Sequence, residues 1–215
     1  MDLLSEEESW EELKAKLRAY APAIVGGLLI GTALWFGWNW WGRHQEEARM
    51  DASARYEALL VAFASGDSAK GTTLLEELKR EHPDSIYVPA AQLAAAKTAV
   101  SRNELDVAAS ALAAVADGKE ERFARVARVR LARIQIEQAK YDEAIATLAK
   151  DGAPGAYAGA YAQVRGDALL RKGDTAGALR EYKAAREAIS KNAAEESGEA
   201  TALLDLKIND LQEKT

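Results

Sequence analysis

The sequence predicts an all-α protein in which one apolar membrane helix leads into a solenoid of antiparallel helical hairpins. Three observations predict it. An uncharged run of about 24 residues lies between Arg18 and Arg43. Beyond it, short turn signals separate stretches of ordinary helix length, none with strand-like alternation. Hairpin turns then recur at intervals of about 37, 36 and 34 residues, with small and large side chains repeating in register. Composition agrees: 48% of the 215 residues are hydrophobic, 29% are charged, and only four are proline. Such a chain folds, and it favours helix over sheet.

Residues 1–18 form the first segment, a short acidic helix or tail. Ser5 and Glu8 match a capping box, and an acidic first turn suits the helix dipole. Trp10, Leu13, Leu17 and Tyr20 fall at helical spacing. Glu6, Glu7, Glu8, Glu11 and Glu12 would be repelled by anionic lipid, so this start is no polybasic anchor.

Residues 19–42 form the expected transmembrane helix, roughly 36 Å long at helical rise and able to span the bilayer with some tilt. Trp35, Trp38, Trp40 and Trp41 crowd its C-terminal end, as indole rings do at the headgroup level. The competing reading is a cleaved signal peptide, with Ala52-Ser53-Ala54 as cleavage motif. That motif lies well beyond the apolar run, behind Arg43, Glu46, Glu47 and Arg49, so an uncleaved anchor is expected. Lys14, Lys16 and Arg18 on one side nearly balance Arg43, Arg49 and Arg55 on the other, and the charge count leaves orientation open. Gly27 and Gly31, continued by Leu34 and Trp38, form a small-residue face where a second membrane helix could approach.

Residues 43–215 form the repeating domain. Gly66, Asn103, Ala139 and Gly173 each begin a turn. Five residues later comes a small side chain, Gly71, Ala108, Ala144 or Ala178; four beyond that comes a large one, Leu75, Leu112, Leu148 or Tyr182. Twelve residues before each small position lie Leu59, Ala96, Ala132 and Gly166, of which only Leu59 departs from the pattern. Paired helices pack most closely where facing residues are small, and the large residue fills the gap to the next pair. This is the construction of a tetratricopeptide-repeat-like, right-handed α-solenoid. Glu199 to Leu211 reads as a capping helix, burying a face that includes Leu203, Leu204, Leu206, Ile208 and Leu211 while Asp205, Lys207 and Asp210 stay wet.

In such a stack the first helix of each pair lines a concave groove. That places Leu93, Lys97, Val129, Arg133, Ile136, Gln163, Asp167 and Arg171 on the inner surface, a mixture suited to a polypeptide partner. Catalytic chemistry is missing by contrast. There is no cysteine, which removes thiolate metal sites, disulfides and Cys nucleophiles. His44 and His82 read as surface or helix-end residues, and no nucleophile–base set, metal motif or phosphate loop appears. We expect no enzyme activity, no metal and no cofactor. A net charge of −6 argues against nucleic acid as partner. Arg122, Arg125, Arg128, Arg130 and Arg133 share one helix but not one face, so ion pairs with neighbouring helices are expected of them rather than a nucleic-acid stripe.

Several strings, in this order, resemble the YfgM-like family of ancillary SecYEG translocon subunits. They are the acidic start, Gly37-Trp38-Asn39-Trp40-Trp41, Ala52-Ser53-Ala54-Arg55-Tyr56, Arg130-Leu131-Ala132-Arg133-Ile134, Arg165-Gly166-Asp167-Ala168-Leu169-Leu170 with Lys172-Gly173-Asp174, and Lys207-Ile208-Asn209-Asp210-Leu211. The resemblance spans nearly the whole chain. It implies a bacterial inner-membrane protein with a cytoplasmic N-terminus and a periplasmic interaction domain. It further implies association with SecYEG and with a membrane-anchored periplasmic chaperone of the peptidyl-prolyl-isomerase type, acting on newly secreted, unfolded clients. The alternative expectation is a structural scaffold or regulatory membrane adaptor without client-holding activity.

Overall fold

No proline interrupts the chain between Pro22 and Pro83, and the polar residues after Gly42 are mostly good helix formers. The apolar run and the first repeat helix therefore join. In the computed structural model, helix α1 runs unbroken over Leu3–Ala64, through both positions where the sequence places segment boundaries. The structure describes the backbone of residues 3–192 and 198–213, and the side chains of 10, 14, 18, 20, 26, 31, 32, 34–191 and 201–213. Contacts divide the chain into two compact units, Met1–Asp51 and Ala52–Thr215. Among the described residues no helix is long and apolar enough to cross a membrane; side chains 19, 21–25, 27–30 and 33 of the apolar run lie outside that description.

In the second unit α1 is followed by α2 (Ser68–Glu81), α3 (Tyr87–Ser101), α4 (Leu105–Ala116), α5 (Glu121–Glu137) and α6 (Tyr141–Ala149). A 3₁₀ turn (Gly155–Tyr157), α7 (Ala158–Lys172), α8 (Thr175–Asn192) and α9 (Gly198–Glu213) complete it. No strand occurs among the described residues.

The repeat is written into the backbone. All four aligned turn residues are left-handed: Gly66 (φ +83°), Asn103 (+61°), Ala139 (+59°) and Gly173 (+95°). After each, the next N–H donates to a carbonyl five residues back: Asp67 to Ala62, Glu104 to Ala99, Lys140 to Gln135 and Asp174 to Leu169, all at 2.8–2.9 Å. This closes the first helix of each pair and reverses the chain within three residues. Asp67 and Asp174 also cap the helix that follows, accepting from the N–H groups of Lys70 (3.0 Å) and Gly177 (2.8 Å). The two middle turns have Glu104 and Lys140 there, and neither makes a side-chain cap.

Ala139 holds its left-handed conformation against its own Cβ. Replacing it by glycine is expected to raise stability by about 0.5–1 kcal/mol, whereas Gly173→Ala should lower it by a similar amount. Urea unfolding followed by circular dichroism measures both, and equal midpoints for Ala139→Gly and the parent would show that no strain is stored there.

Packing follows the small–large register. Gly71, Ala108, Ala144 and Ala178 are all buried, as are Leu75, Leu112, Leu148 and Tyr182. Even Leu59, which departs from the pattern, is accounted for by size exchange. In the first hairpin the large partners Leu59 and Phe63 stand on the first helix, and Gly71 gives way: a Cβ there would collide with the Phe63 ring. In the fourth the roles reverse, and a Cβ on Gly166 would sit 2.6 Å from the Tyr182 ring. Besides each helix from α2 to α8 packing on its successor, α3 packs on α5 and α5 on α7. The first helices of the pairs thus stand side by side along one surface.

Helix α9 does cap the stack, but with a narrower face than the sequence suggests. Leu204, Ile208 and Leu211 are buried against Ala162, Ala178, Tyr182 and Ala185. Leu203 and Leu206 are exposed instead, because at about 100° per residue they fall outside the stripe of 204, 208 and 211. Lys207, expected to stay wet, is turned inward to an ion pair with Asp167.

Candidate partner groove

Lys97, Arg133, Asp167 and Arg171 occupy the C-terminal halves of α3, α5 and α7, the three helices that stand side by side. Two adjoining cavities run across them. The larger, about 580 Å³, is lined by Val100, Leu105, Arg133, Ile134, Ile136, Glu137, Asp167, Leu170, Arg171, Tyr182, Lys207, Asp210 and Leu211. The smaller, about 440 Å³, is lined by Ala96, Lys97, Val100, Leu112, Arg130, Arg133 and Ile134. Val100, Arg133 and Ile134 belong to both, so the two form one groove.

Of the eight inner-surface residues expected from sequence, Lys97, Arg133, Ile136, Asp167 and Arg171 line this groove. Leu93, Val129 and Gln163, each one turn nearer the helix start, do not. Val129 is buried with Ala132, Tyr161 and Val164 between α5 and α7, and Leu93 packs against the α3–α5 core. Gln163 is half-buried. The groove thus runs over the C-terminal halves of these helices.

Sequence reasoning missed the wall contributed by α9. Lys207 Nζ lies 2.6 Å from Asp167 Oδ1, and the Tyr182 hydroxyl donates to the same oxygen at 2.7 Å. The ammonium also stands 5.1 Å from the centre of the Tyr182 ring, within cation–π range. Burial, then the hydrogen bond to Asp167 and its negative charge, push the Tyr182 hydroxyl far above its ordinary range. It is a fixed hydrogen-bond donor with no acid–base role near neutrality.

The arginines of α5 divide by face. Arg125 Nε pairs with Asp151 Oδ2 at 3.0 Å, and Arg128 Nη1 reaches the same oxygen and Glu121, each at 3.5 Å. These two do form ion pairs, but with a loop aspartate and a residue of their own helix, where the sequence predicts pairs with neighbouring helices. Burial alone would raise the Asp151 carboxyl. The Ala153 N–H, the Arg125 hydrogen bond and the two arginine charges outweigh it and hold the group below the usual carboxylate range. Arg130 and Arg133 depart from the expectation. Both are exposed on the groove and make no ion pair with any described residue.

On the first unit, Gly31, Leu34 and Trp38 are exposed on α1, and a Cβ on Gly31 would meet nothing within 4 Å. The Gly27 side-chain position lies outside the described residues. Further along α1, Trp40 and His44 form a stacked pair.

The tetratricopeptide repeat-like domain family matches residues 14–213. An ancillary SecYEG translocon subunit of Escherichia coli (strain K12) is 31% identical over 181 residues, covering 84% of this chain and 86% of that protein. One from Aggregatibacter actinomycetemcomitans is 30% identical over 185 residues, 86% of this chain and 90% of that protein. A solved structure titled MamA MSR-1 C2 aligns with TM-score 0.45 at 16% identity, over 77% of this chain and 98% of that one.

Proposed function

This chain belongs to the family of ancillary SecYEG translocon subunits and carries its tetratricopeptide repeat-like domain, and from that membership we propose that it works as a membrane-anchored interaction subunit beside the secretion channel. Residues 19–42 serve as the single-pass anchor, with residues 1–18 cytoplasmic and the domain from residue 43 onward in the periplasm of a bacterial inner membrane. Gly27, Gly31, Leu34 and Trp38 form the face by which the anchor packs on another membrane helix. The groove across α3, α5, α7 and α9 holds a polypeptide partner: a membrane-anchored chaperone of the peptidyl-prolyl-isomerase type, or segments of secreted clients that it handles. Anchoring keeps the groove at the membrane surface and raises its effective concentration toward partners there.

What carries this reading is the likeness to translocon subunits over most of the chain. No converging catalytic set occurs among the described groove residues, where Asp167, Lys207 and Tyr182 satisfy one another.

The test is photocrosslinking in whole cells followed by carbonate washing of the membranes. A photoreactive residue at Leu170, exposed in the larger cavity, or at Gly31 should give adducts with translocon or chaperone subunits, and the chain should stay in the washed pellet. Combined charge reversal at Lys97, Arg133 and Arg171 should reduce the Leu170 adducts several-fold while sparing those from Gly31. Recovery of the chain in the carbonate supernatant, or adducts that ignore the triple substitution, would discard the anchored groove-binding reading.

A further inference from the structure

The two ends of the groove differ in charge. Toward α9, cations and acids alternate and pair: Lys207 with Asp167, and Arg171 beside Glu137. At the α3–α5 end, Lys97, Arg130 and Arg133 rim the smaller cavity without an acidic residue in its lining. None of the three makes a hydrogen bond or ion pair with another described residue. Their floor is apolar, formed by Ala96, Val100, Leu112 and Ile134. Leu112 and Ile134 are themselves nearly buried, so the floor is firm core and not mobile surface.

Like charges gathered around an apolar depression repel one another and gain nothing from the fold itself. Elsewhere on α5 the same side-chain type is neutralised: Asp151 lies within ion-pair distance of both Arg125 and Arg128. The complement of the bare site is a ring of carboxylates around a large apolar side chain. A nucleic acid or a flat lipid headgroup layer supplies the negative charge but no side chain to fill a concave floor.

Resting on the groove-binding reading above, we propose that the α3–α5 end is a subsite for an acidic polypeptide segment of the partner, one with an aromatic or aliphatic residue flanked by Asp or Glu. The apolar side chain enters over Val100, Leu112 and Ile134, and its acidic neighbours meet Lys97, Arg130 and Arg133. The α7–α9 end, already neutralised, contributes shape and little charge selection.

The test is fluorescence anisotropy on the full chain in detergent micelles with three short labelled peptides: Phe flanked by Glu, Phe flanked by Lys, and Glu with Gly in place of Phe. The first should bind best, and added salt should weaken it. Lys97→Gln/Arg130→Gln/Arg133→Gln should lower its affinity by about tenfold and remove the preference over the Lys peptide. These side chains are exposed and unpaired, so an unchanged thermal midpoint for the variant is the folding control. Equal binding of the Glu and Lys peptides, no binding of any, or an affinity untouched by the substitutions would overturn the proposal. So would loss, in the variant, of binding to phosphatidylglycerol vesicles alone. Crosslinking at Leu170 reports the general groove reading independently: adducts there, with no charge preference among the peptides, would retire this subsite and leave that reading standing.

Discussion

Tyr182→Ala should destabilise the protein by about 3–5 kcal/mol, the range for deleting a buried aromatic side chain. Tyr182 has no exposed surface and stands over Gly166, where the facing helix offers no side chain. Its hydroxyl donates to Asp167 and its ring lies beneath the Lys207 ammonium, so truncation opens a cavity and loosens α9 together. The converse change, Gly166→Val, should cost about 1–3 kcal/mol by overpacking, since the new Cβ would lie 2.6 Å from a buried ring. Combined, the two should cost clearly less than their sum, because valine grows into the space that the ring vacates. The first hairpin has the same exchange in natural form, with Phe63 against Gly71. Thermal unfolding of the four proteins measures the coupling. Strict additivity would mean that the ring and the glycine do not share one site.

Asp151→Asn should cost about 2–3 kcal/mol near neutral pH and flatten the acid limb of the stability profile. The Asp151 side chain is 7% exposed and that of Arg128 is 9% exposed. Removing the carboxylate leaves a buried guanidinium with Glu121 at 3.5 Å and the neutral Tyr161 hydroxyl. Breaking one partner of a buried pair is expensive because the remaining charge stays desolvated. The figure is set below the usual loss for a buried pair because Arg125 can turn to solvent. The folded-state pKa of Asp151 is depressed. Its contribution is therefore complete above the ordinary carboxyl value of about 4 and is lost as pH falls through the lower folded value. The parent should lose more stability than Asp151→Asn on acidification below about pH 4. Urea midpoints at a series of pH values would show it; parallel profiles would mean that Asp151 carries no linked proton.

Asp151 shows where local reading stops. It lies in the break after α6, in a stretch of glycine and proline that sequence marks only as a turn, and its partners are 26 and 23 positions away. Nothing local distinguishes it from Asp117 or Asp84. The α9 wall escaped for the same reason. Lys207 has the spacing of a solvated residue, and only the packing of α9 on α7 and α8 brings it to Asp167. Leu93 and Val129 share a helical stripe with Lys97 and Arg133, so periodicity assigns all four to the groove. Which of those turns a neighbouring helix covers leaves no mark in a single helix.

By itself the sequence determined the properties that depend on a residue and its near neighbours. It placed four hairpin turns at the positions that prove left-handed, aligned the small and large residues that the core buries, and marked helices α3, α5 and α7 as the lining set. Its uncharged run is the basis for the anchor proposed here. Backbone conformation and amphipathic register are local, and residues within about one helical turn settle them. The tertiary structure alone decided which turn of each helix stays open, which arginines are neutralised and which are left bare. Those outcomes depend on distances between elements far apart in the chain, and electrostatic and packing energies respond to distance in space, not to separation in sequence.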